Sequence, residues 1–228
     1  MKAKRVTDNL IQLDRARFVN AYLVREDDGF TLVDTTLSGA AEDIVKAARA
    51  AGGEIVRIAL THGHGDHSGS LDALRDLLGA EVPVSLGEAD ARIHAGEAPK
   101  TRGSWPAVAT RPDQLLHGGE RIGSLEVVAN PGHTPGHVAF MDVRDRTLIA
   151  GDTYTSTVRV DIPNRIGQPF PLAAMGTEDR EQVVEAARAL RALEPALLVV
   201  GHGQPVRTPL AAMDKAIARV SHGARRAG

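Results

Sequence analysis

The chain has 228 residues, 43% of them apolar and 25% charged, with a formal charge of −2 and no cysteine. That length and composition can bury a substantial core, and the near-neutral charge gives no reason to expect a nucleic-acid or membrane partner. Without cysteine there are neither disulfides nor thiolate ligands, so a bound metal would have to be held by nitrogen and oxygen.

In chain order, the first elements read as an antiparallel meander with apolar runs at 10–13, 20–24 and 30–34 and an Asp28-Gly29 turn between the last two. A helix is predicted over 39–51, where Ile44, Ala48 and Ala51 share a face, Ser38 is the candidate N-cap and Gly52-Gly53 ends the run. A buried strand over 55–60, a helix over 68–78, a strand over 81–86 and a short helix over 88–94 follow. Three strands are expected between 125 and 150, then a helix over 178–193, a strand over 196–200 and a helix over 209–221. The basic runs at 2–5 and 225–226 read as solvated termini. No linker rich in Gly, Ser or Pro and no repeat interrupts this order, which reads as one domain over 1–228.

The stretch Thr61-His62-Gly63-His64-Gly65-Asp66-His67 follows the 55–60 strand and puts four metal-binding side chains within six residues. Alternate residues of a tightly turned loop project to one side, so His62 and His64 can converge on one ion while Asp66 and His67 turn towards a second. Gly63 and Gly65 remove the Cβ atoms that would crowd such a turn. Three further candidates recur where an apolar β-branched run stops at a glycine, in Pro131-Gly132-His133, Gly151-Asp152 and Gly201-His202. All three should therefore sit on loops at strand ends, where a rigid sheet commonly mounts functional side chains.

The ordered pattern HxHxDH, His, Asp, His resembles that of the metallo-β-lactamase superfamily, and here it reads His62, His64, Asp66, His67, His133, Asp152 and His202 with no position missing. The resemblance covers most of the chain. It implies an α+β fold, an αββα sandwich of two mixed sheets between outer helices, with the site along one edge. It also implies that His62, His64 and His133 hold a first ion, that Asp66, His67 and His202 hold a second, and that Asp152 bridges them. The phrases THGHGDHSGS, PGHTPGH and GDTY are most similar to the lactonase and glyoxalase II-like branches, whereas the β-lactamase branches put cysteine or serine where Asp152 stands.

Two ions about 3.5–4 Å apart lower the pKa of a shared water and polarise a scissile carbonyl. The expected cofactors are two Zn²⁺ per chain, with Mn²⁺, Fe²⁺ or Co²⁺ also tolerated by imidazole and carboxylate ligands. The leading expectation is a dinuclear zinc hydrolase of a small ester or lactone, such as an acyl-homoserine lactone. A glyoxalase II-like thioester hydrolase is the alternative, although the family member proper carries a C-terminal helical domain and 26 residues follow His202 here. A phosphodiesterase, a β-lactamase and a non-catalytic metal-binding protein come after these. Two catalytic parts are assigned: Asp66 as proton carrier besides ligand, and Tyr154, two residues after Asp152, as hydrogen-bond donor to the substrate or leaving group. A buried structural tyrosine is the other reading of Tyr154.

Of the remaining histidines, His137 reads as a residue supporting the ligands, and His94, His117 and His222 as surface or packing residues. Thr61, Thr134 and Thr153 adjoin ligands and are placed to orient them. Segments 96–113 and 161–176 read as long irregular loops, and their Trp105, Phe170 and Met175 as an apolar substrate wall. The expected partner is a small-molecule substrate, with no nucleic acid and no membrane, and a homodimer is compatible with this. The N-terminus lacks a signal-like apolar stretch and no run approaches a membrane span, so a cytoplasmic protein is the default expectation.

Overall fold

The computed structural model describes residues 1–224, with side chains to 220. The side chain of His222 and the basic pair at 225–226 lie outside the described residues. Two sheets stack face to face. The first holds β1 (Lys2–Arg5), β2 (Leu10–Arg15), β3 (Val19–Glu26), β4 (Gly29–Val33), β5 (Ile55–Ala59), β6 (Val84–Gly87) and β7 (Gln114–Leu116), paired in that order. Its first four strands are antiparallel and β4 to β7 are parallel. The second runs β13 (Val206–Arg207), β12 (Leu197–Val199), β11 (Thr147–Ile149), β10 (Val138–Asp142), β9 (Leu125–Ala129) and β8 (Arg121–Ile122), with β11 and β12 the parallel pair.

The alternation of each central strand assigns its side chains to two different layers. On β3, Tyr22 and Val24 meet Val127, Phe140 and Val199 between the sheets. Ala21 and Leu23 face the other way, onto α1 (Ala41–Ala50) and α3 (Leu71–Leu78), through Ile44, Ala48, Leu71 and Leu74. On β10, Val138 and Phe140 join the middle layer while Ala139 and Met141 pack under α6 (Gln182–Ala192) and α7 (Leu210–Ala224). Three apolar layers between four layers of secondary structure make the αββα sandwich expected from the sequence.

Several local expectations shift. The 39–51 helix starts at Ala41, and Ser38 is not its cap: the hydroxyl of Ser70 accepts the Ala40 N–H instead (2.9 Å). The 68–78 helix starts at Leu71 as α3, because Ser68 closes a separate single turn, α2 (Gly65–Ser68), which carries Asp66 and His67. Strands β1, β7, β8 and β13 are two to four residues long, too short for a period to show. Residues 2–5, read as a solvated terminus, form an exposed edge strand on β2. Segment 161–176 is not wholly irregular, since Pro171, at the first helical position, starts α5 (Pro171–Gly176). No helix of the described residues is long and apolar enough to cross a membrane.

One feature of this topology creates the site. Val33 of β4 pairs with Ala59 of β5, and Ile149 of β11 with Val199 of β12, in parallel register. Parallel neighbours end at the same edge, so the loops after β4, β5, β11 and β12 emerge side by side. Strand β9 runs antiparallel to β10, as β11 does, so its C-terminal loop leaves at that edge too.

Candidate metal centre

Each sequence-predicted ligand occupies one of those loops. His62, His64, Asp66 and His67 follow β5 and run into α2, while His133 follows β9. Asp152 and His202 each stand three residues past the paired positions Ile149 and Val199. The five imidazoles are buried. Ligand-type atoms from His62, His64 and His133 lie within 4.8 Å of one another, as do those of Asp66, His67 and His202, and those of His62, His67 and Asp152. Asp152 stands between the groups: Oδ1 is 3.5 Å from His67 Nε2, and Oδ2 is 3.5 Å from His133 Nε2 and 3.1 Å from His202 Nε2.

The outward-facing nitrogen of every imidazole has an acceptor, which fixes the tautomer. His67 Nδ1–H donates to Asp34 Oδ2 (2.9 Å), His64 Nε2–H to the Arg102 carbonyl (2.8 Å) and His202 Nδ1–H to the Phe18 carbonyl (2.7 Å). Thr61 gives its hydroxyl proton to Asp34 (2.9 Å), so its oxygen accepts His62 Nδ1–H at 3.0 Å. By the same logic Thr177 donates to the Ala173 carbonyl (2.9 Å) and accepts His133 Nδ1–H at 3.0 Å. The inner nitrogens, His64 Nδ1 and Nε2 of the other four, are then the ones that point at a common space. His62 Nε2, His67 Nε2 and Asp152 Oδ1 are buried there without any hydrogen-bond partner. Burial of unpartnered polar atoms costs free energy unless something coordinates them, and nitrogen and oxygen donors in this arrangement suit a divalent cation.

Charge points the same way. Burial opposes ionisation of Asp66 and Asp152, yet His67 and His202 outweigh it and hold both carboxyls well below the usual range. Burial likewise opposes protonation of His67 and His202, but Asp152 and Asp66 prevail and push both up, His67 to about 9. Burial, reinforced for His62 by the neighbouring imidazoles, pushes His62, His64 and His133 down. The two carboxylates therefore demand positive charge, and a divalent cation supplies it while displacing imidazole protons.

The sequence-predicted supports divide. Thr61 touches a ligand, whereas Thr134 donates to Asp90 (2.6 Å) and Thr153 meets Asn130. His137 Nε2 accepts the Asp152 N–H (3.1 Å), and burial pushes it down to about 3, so it stays neutral behind that carboxylate. His94 is half-buried and bonds the Gly63 carbonyl (2.7 Å), while His117 is exposed beside Glu88 (3.5 Å). Asp34, which holds both Thr61 and His67, was not singled out from sequence. Its signal was present in the repeat of the strand-then-acid pattern at Val33-Asp34, and its positive φ of 63° marks a strained turn.

Two other expectations are corrected. Tyr154 is fully buried in the layer under α6, where its hydroxyl donates to the Ala187 carbonyl (2.6 Å), so it points away from the ligands and is a packing residue. Trp105 is no substrate wall. It is 7% exposed, lies edge-on to His64 (5.1 Å) and donates its indole N–H to the Arg102 carbonyl (3.2 Å). Phe170 stacks on His202 (4.5 Å) and meets Phe18 (5.4 Å), while Met175 does line the cavity over the site.

That cavity measures about 560 Å³ and opens onto His64, Asp66, His133, Asp152 and His202. Its apolar walls include Phe18, Leu37, Pro106, Leu172 and Met175, and among the described residues that line it there is no Lys or Arg.

The profile of the Metallo-beta-lactamase superfamily matches residues 14–202. The chain is 38% identical over 214 residues to the uncharacterized protein YobT of Bacillus subtilis, covering 90% of this chain and 91% of that one. It is 32% identical over 155 residues to a hydroxyacylglutathione hydrolase of Rhodospirillum rubrum, covering 66% of this chain and 50% of that protein. Among solved structures it is similar to TTHA1623 in a di-iron-bound form, with 26% identity, 89% and 96% of the two chains covered and a TM-score of 0.67. The ligand-type loops thus fall within the matched span, on the matching fold, and the chain belongs to the metallo-β-lactamase superfamily.

Proposed function

We infer that the chain is a metal-dependent hydrolase that holds two divalent ions and cleaves a small uncharged ester or lactone. The observation that carries the metal reading is the set of buried, unpartnered inner atoms of His62, His67 and Asp152 within a seven-residue cluster. His62, His64 and His133 would hold one ion, and Asp66, His67 and His202 the other, with the Asp152 carboxylate shared. The superfamily and the relative named as a probable metallo-hydrolase, YflN of Bacillus subtilis at 29% identity, support hydrolysis as the chemistry. Zinc is the favoured metal for this donor set, and iron is the rival, given the di-iron relative.

When bound, two such ions supply Lewis-acid polarisation of the substrate carbonyl and a water acidic enough to attack near neutral pH. The protein does the rest. The Asp66 side chain is 26% exposed against 3% for Asp152, so Asp66 is the more open of the two carboxylates that line the cavity and can carry the proton released during attack. Phe18, Leu37, Leu172 and Met175 orient the acyl part and exclude water from the scissile bond.

The name of the Rhodospirillum relative favours a glutathione thioester as second reading. The cavity argues against it, since a glutathione conjugate brings two carboxylates and the described residues of its walls include no Lys or Arg. Elemental analysis of protein never exposed to chelator should give about two divalent ions per chain, and a ratio near zero or one would refute the two-ion reading. A panel of lactone, aryl ester, S-lactoylglutathione, bis-aryl phosphodiester and β-lactam then ranks kcat/KM, with lactone and aryl ester expected on top. If the glutathione thioester leads by tenfold, about 1.4 kcal/mol of transition-state binding, the chain is a thioesterase.

A further inference from the structure

Strand β6 ends at the same sheet edge as β5, so the helix after it, α4 (Glu88–His94), starts beside the metal-type loop. Asp90 and His94 lie four residues apart and so share one face of α4. Both reach the same peptide. Asp90 Oδ2 accepts the Gly63 N–H at 2.9 Å, and His94 Nε2–H donates to the Gly63 carbonyl at 2.7 Å. Gly63 is the residue between His62 and His64.

Asp90 makes a second connection. Its Oδ2 also accepts the Thr134 hydroxyl (2.6 Å), and its Oδ1 accepts the Gly136 N–H (2.7 Å), in the turn that follows His133. A fully buried carboxylate thus ties together the two loops that carry His62, His64 and His133. The fit leaves no slack. A Cβ on Gly63 would lie 2.5 Å from Trp105 and 2.9 Å from His94 Nε2, and one on Gly136 would lie 2.5 Å from the Asp90 nitrogen.

We propose that Asp90 and His94 are positioning residues, a clamp on the Gly63 peptide through which α4 sets the spacing of His62, His64 and His133 and hence the affinity of that half of the site for metal. The clamp rests on the metal reading given above. His62 Nδ1, His64 Nε2 and His133 Nδ1 are each anchored by one further hydrogen bond, which fixes a ring's direction but not the distance between loops. That distance is what the carboxylate bridge supplies.

Cobalt(II) titration of chelator-stripped protein tests this, read by chelator competition and by the visible d–d bands, with thermal unfolding of the metal-free form alongside. The parent should take two cobalt ions. Asp90→Asn can accept from only one of its two sides and turns an N–H donor on the other, so one cobalt should bind about 10- to 100-fold more weakly, the range typical of supports behind a metal ligand. Its bands should shift in position or intensity. His94→Ala should weaken the same ion less, and His94→Gln, which keeps a donor near Nε2, should recover most of the loss. A merely structural role would lower the unfolding temperature and leave the cobalt affinity of the folded protein within twofold, and that result overturns the clamp. Should Asp90→Asn fail to fold, the His94 pair decides by itself. A parent that binds no cobalt brings down the metal reading and the clamp together, whereas a parent with two ions and indifferent variants brings down the clamp alone.

Discussion

Segments 96–113 and 161–176 have the same appearance in sequence, proline-bearing, aperiodic and supplied with an aromatic residue that packs on a ligand, yet only the second leaves large apolar side chains exposed over the site. The first folds inward. Trp105 is 7% exposed and packs on His64 and His94, and the Arg102 carbonyl accepts from both His64 and the indole. The second buries Ile162 and packs Phe170 on His202 but leaves two large apolar side chains in the open over the cavity, Leu172 51% and Met175 54% exposed. A loop that holds ligands must bury its large residue and satisfy its carbonyls, while a loop that meets substrate must leave apolar surface in water until substrate covers it. Exposure, not composition, separates the two.

The sharpest way to break that contrast is Trp105→Ala. If the indole is structural, the variant should lose about 3–5 kcal/mol of unfolding free energy, the usual cost of emptying a buried aromatic site, and bind metal more weakly. Denaturant unfolding and metal competition measure both. A variant of parental stability with an altered substrate preference would return Trp105 to the substrate wall. Gly103→Ala asks the same of the backbone. Gly103 has φ of +92°, and a Cβ there would sit 2.3 Å from His64 Nε2, so the loop must move off the ligand. An expected cost of more than about 1 kcal/mol with a roughly tenfold loss of metal affinity distinguishes it from a change at Gly167, where nothing lies within 4 Å of the added carbon.

How far the sequence could be read follows from the same physics. The strands that deliver His133, Asp152 and His202 were legible because apolar runs ending at glycine announce themselves locally, and the one before His62 because a short apolar run leads straight into the histidine motif. The roles of Asp34 and Asp90 were not, because each acts on a residue 27 positions away, Thr61 after Asp34 and Gly63 before Asp90, and only pairing of β4 with β5 and of β5 with β6 brings them near. The direction of Tyr154 failed for a related reason. The chain turns between Ala150 and Thr153, where Gly151 takes φ of +51°, so counting two residues from Asp152 gives no face. Its partner, the Ala187 carbonyl, stands 33 residues away on α6. Tyr154→Phe should therefore cost about 0.5–1.5 kcal/mol of stability, one buried hydrogen bond, and leave kcat unchanged. A hundredfold fall in kcat at full metal content would restore the catalytic assignment.

The outward-facing loop gives the smallest effect and the one that bears on substrate choice. Leu172 and Met175 are already half exposed, so truncation removes little from the folded core, and unfolding free energy should change by less than about 0.5 kcal/mol. What truncation does remove is apolar area that an acyl chain would cover, worth about 25 cal/mol per Å². Half a side chain of contact then amounts to roughly 1 kcal/mol, a severalfold change in kcat/KM. Leu172→Ala and Met175→Ala should accordingly raise KM for long-chain esters severalfold, leave kcat and metal content alone, and barely affect the shortest acyl substrate. The dependence on chain length carries the argument, because a general disturbance of the site would weaken short and long substrates equally. Equal losses across the series would mean that the loop does not face the acyl group, and the contrast with segment 96–113 would fall with it.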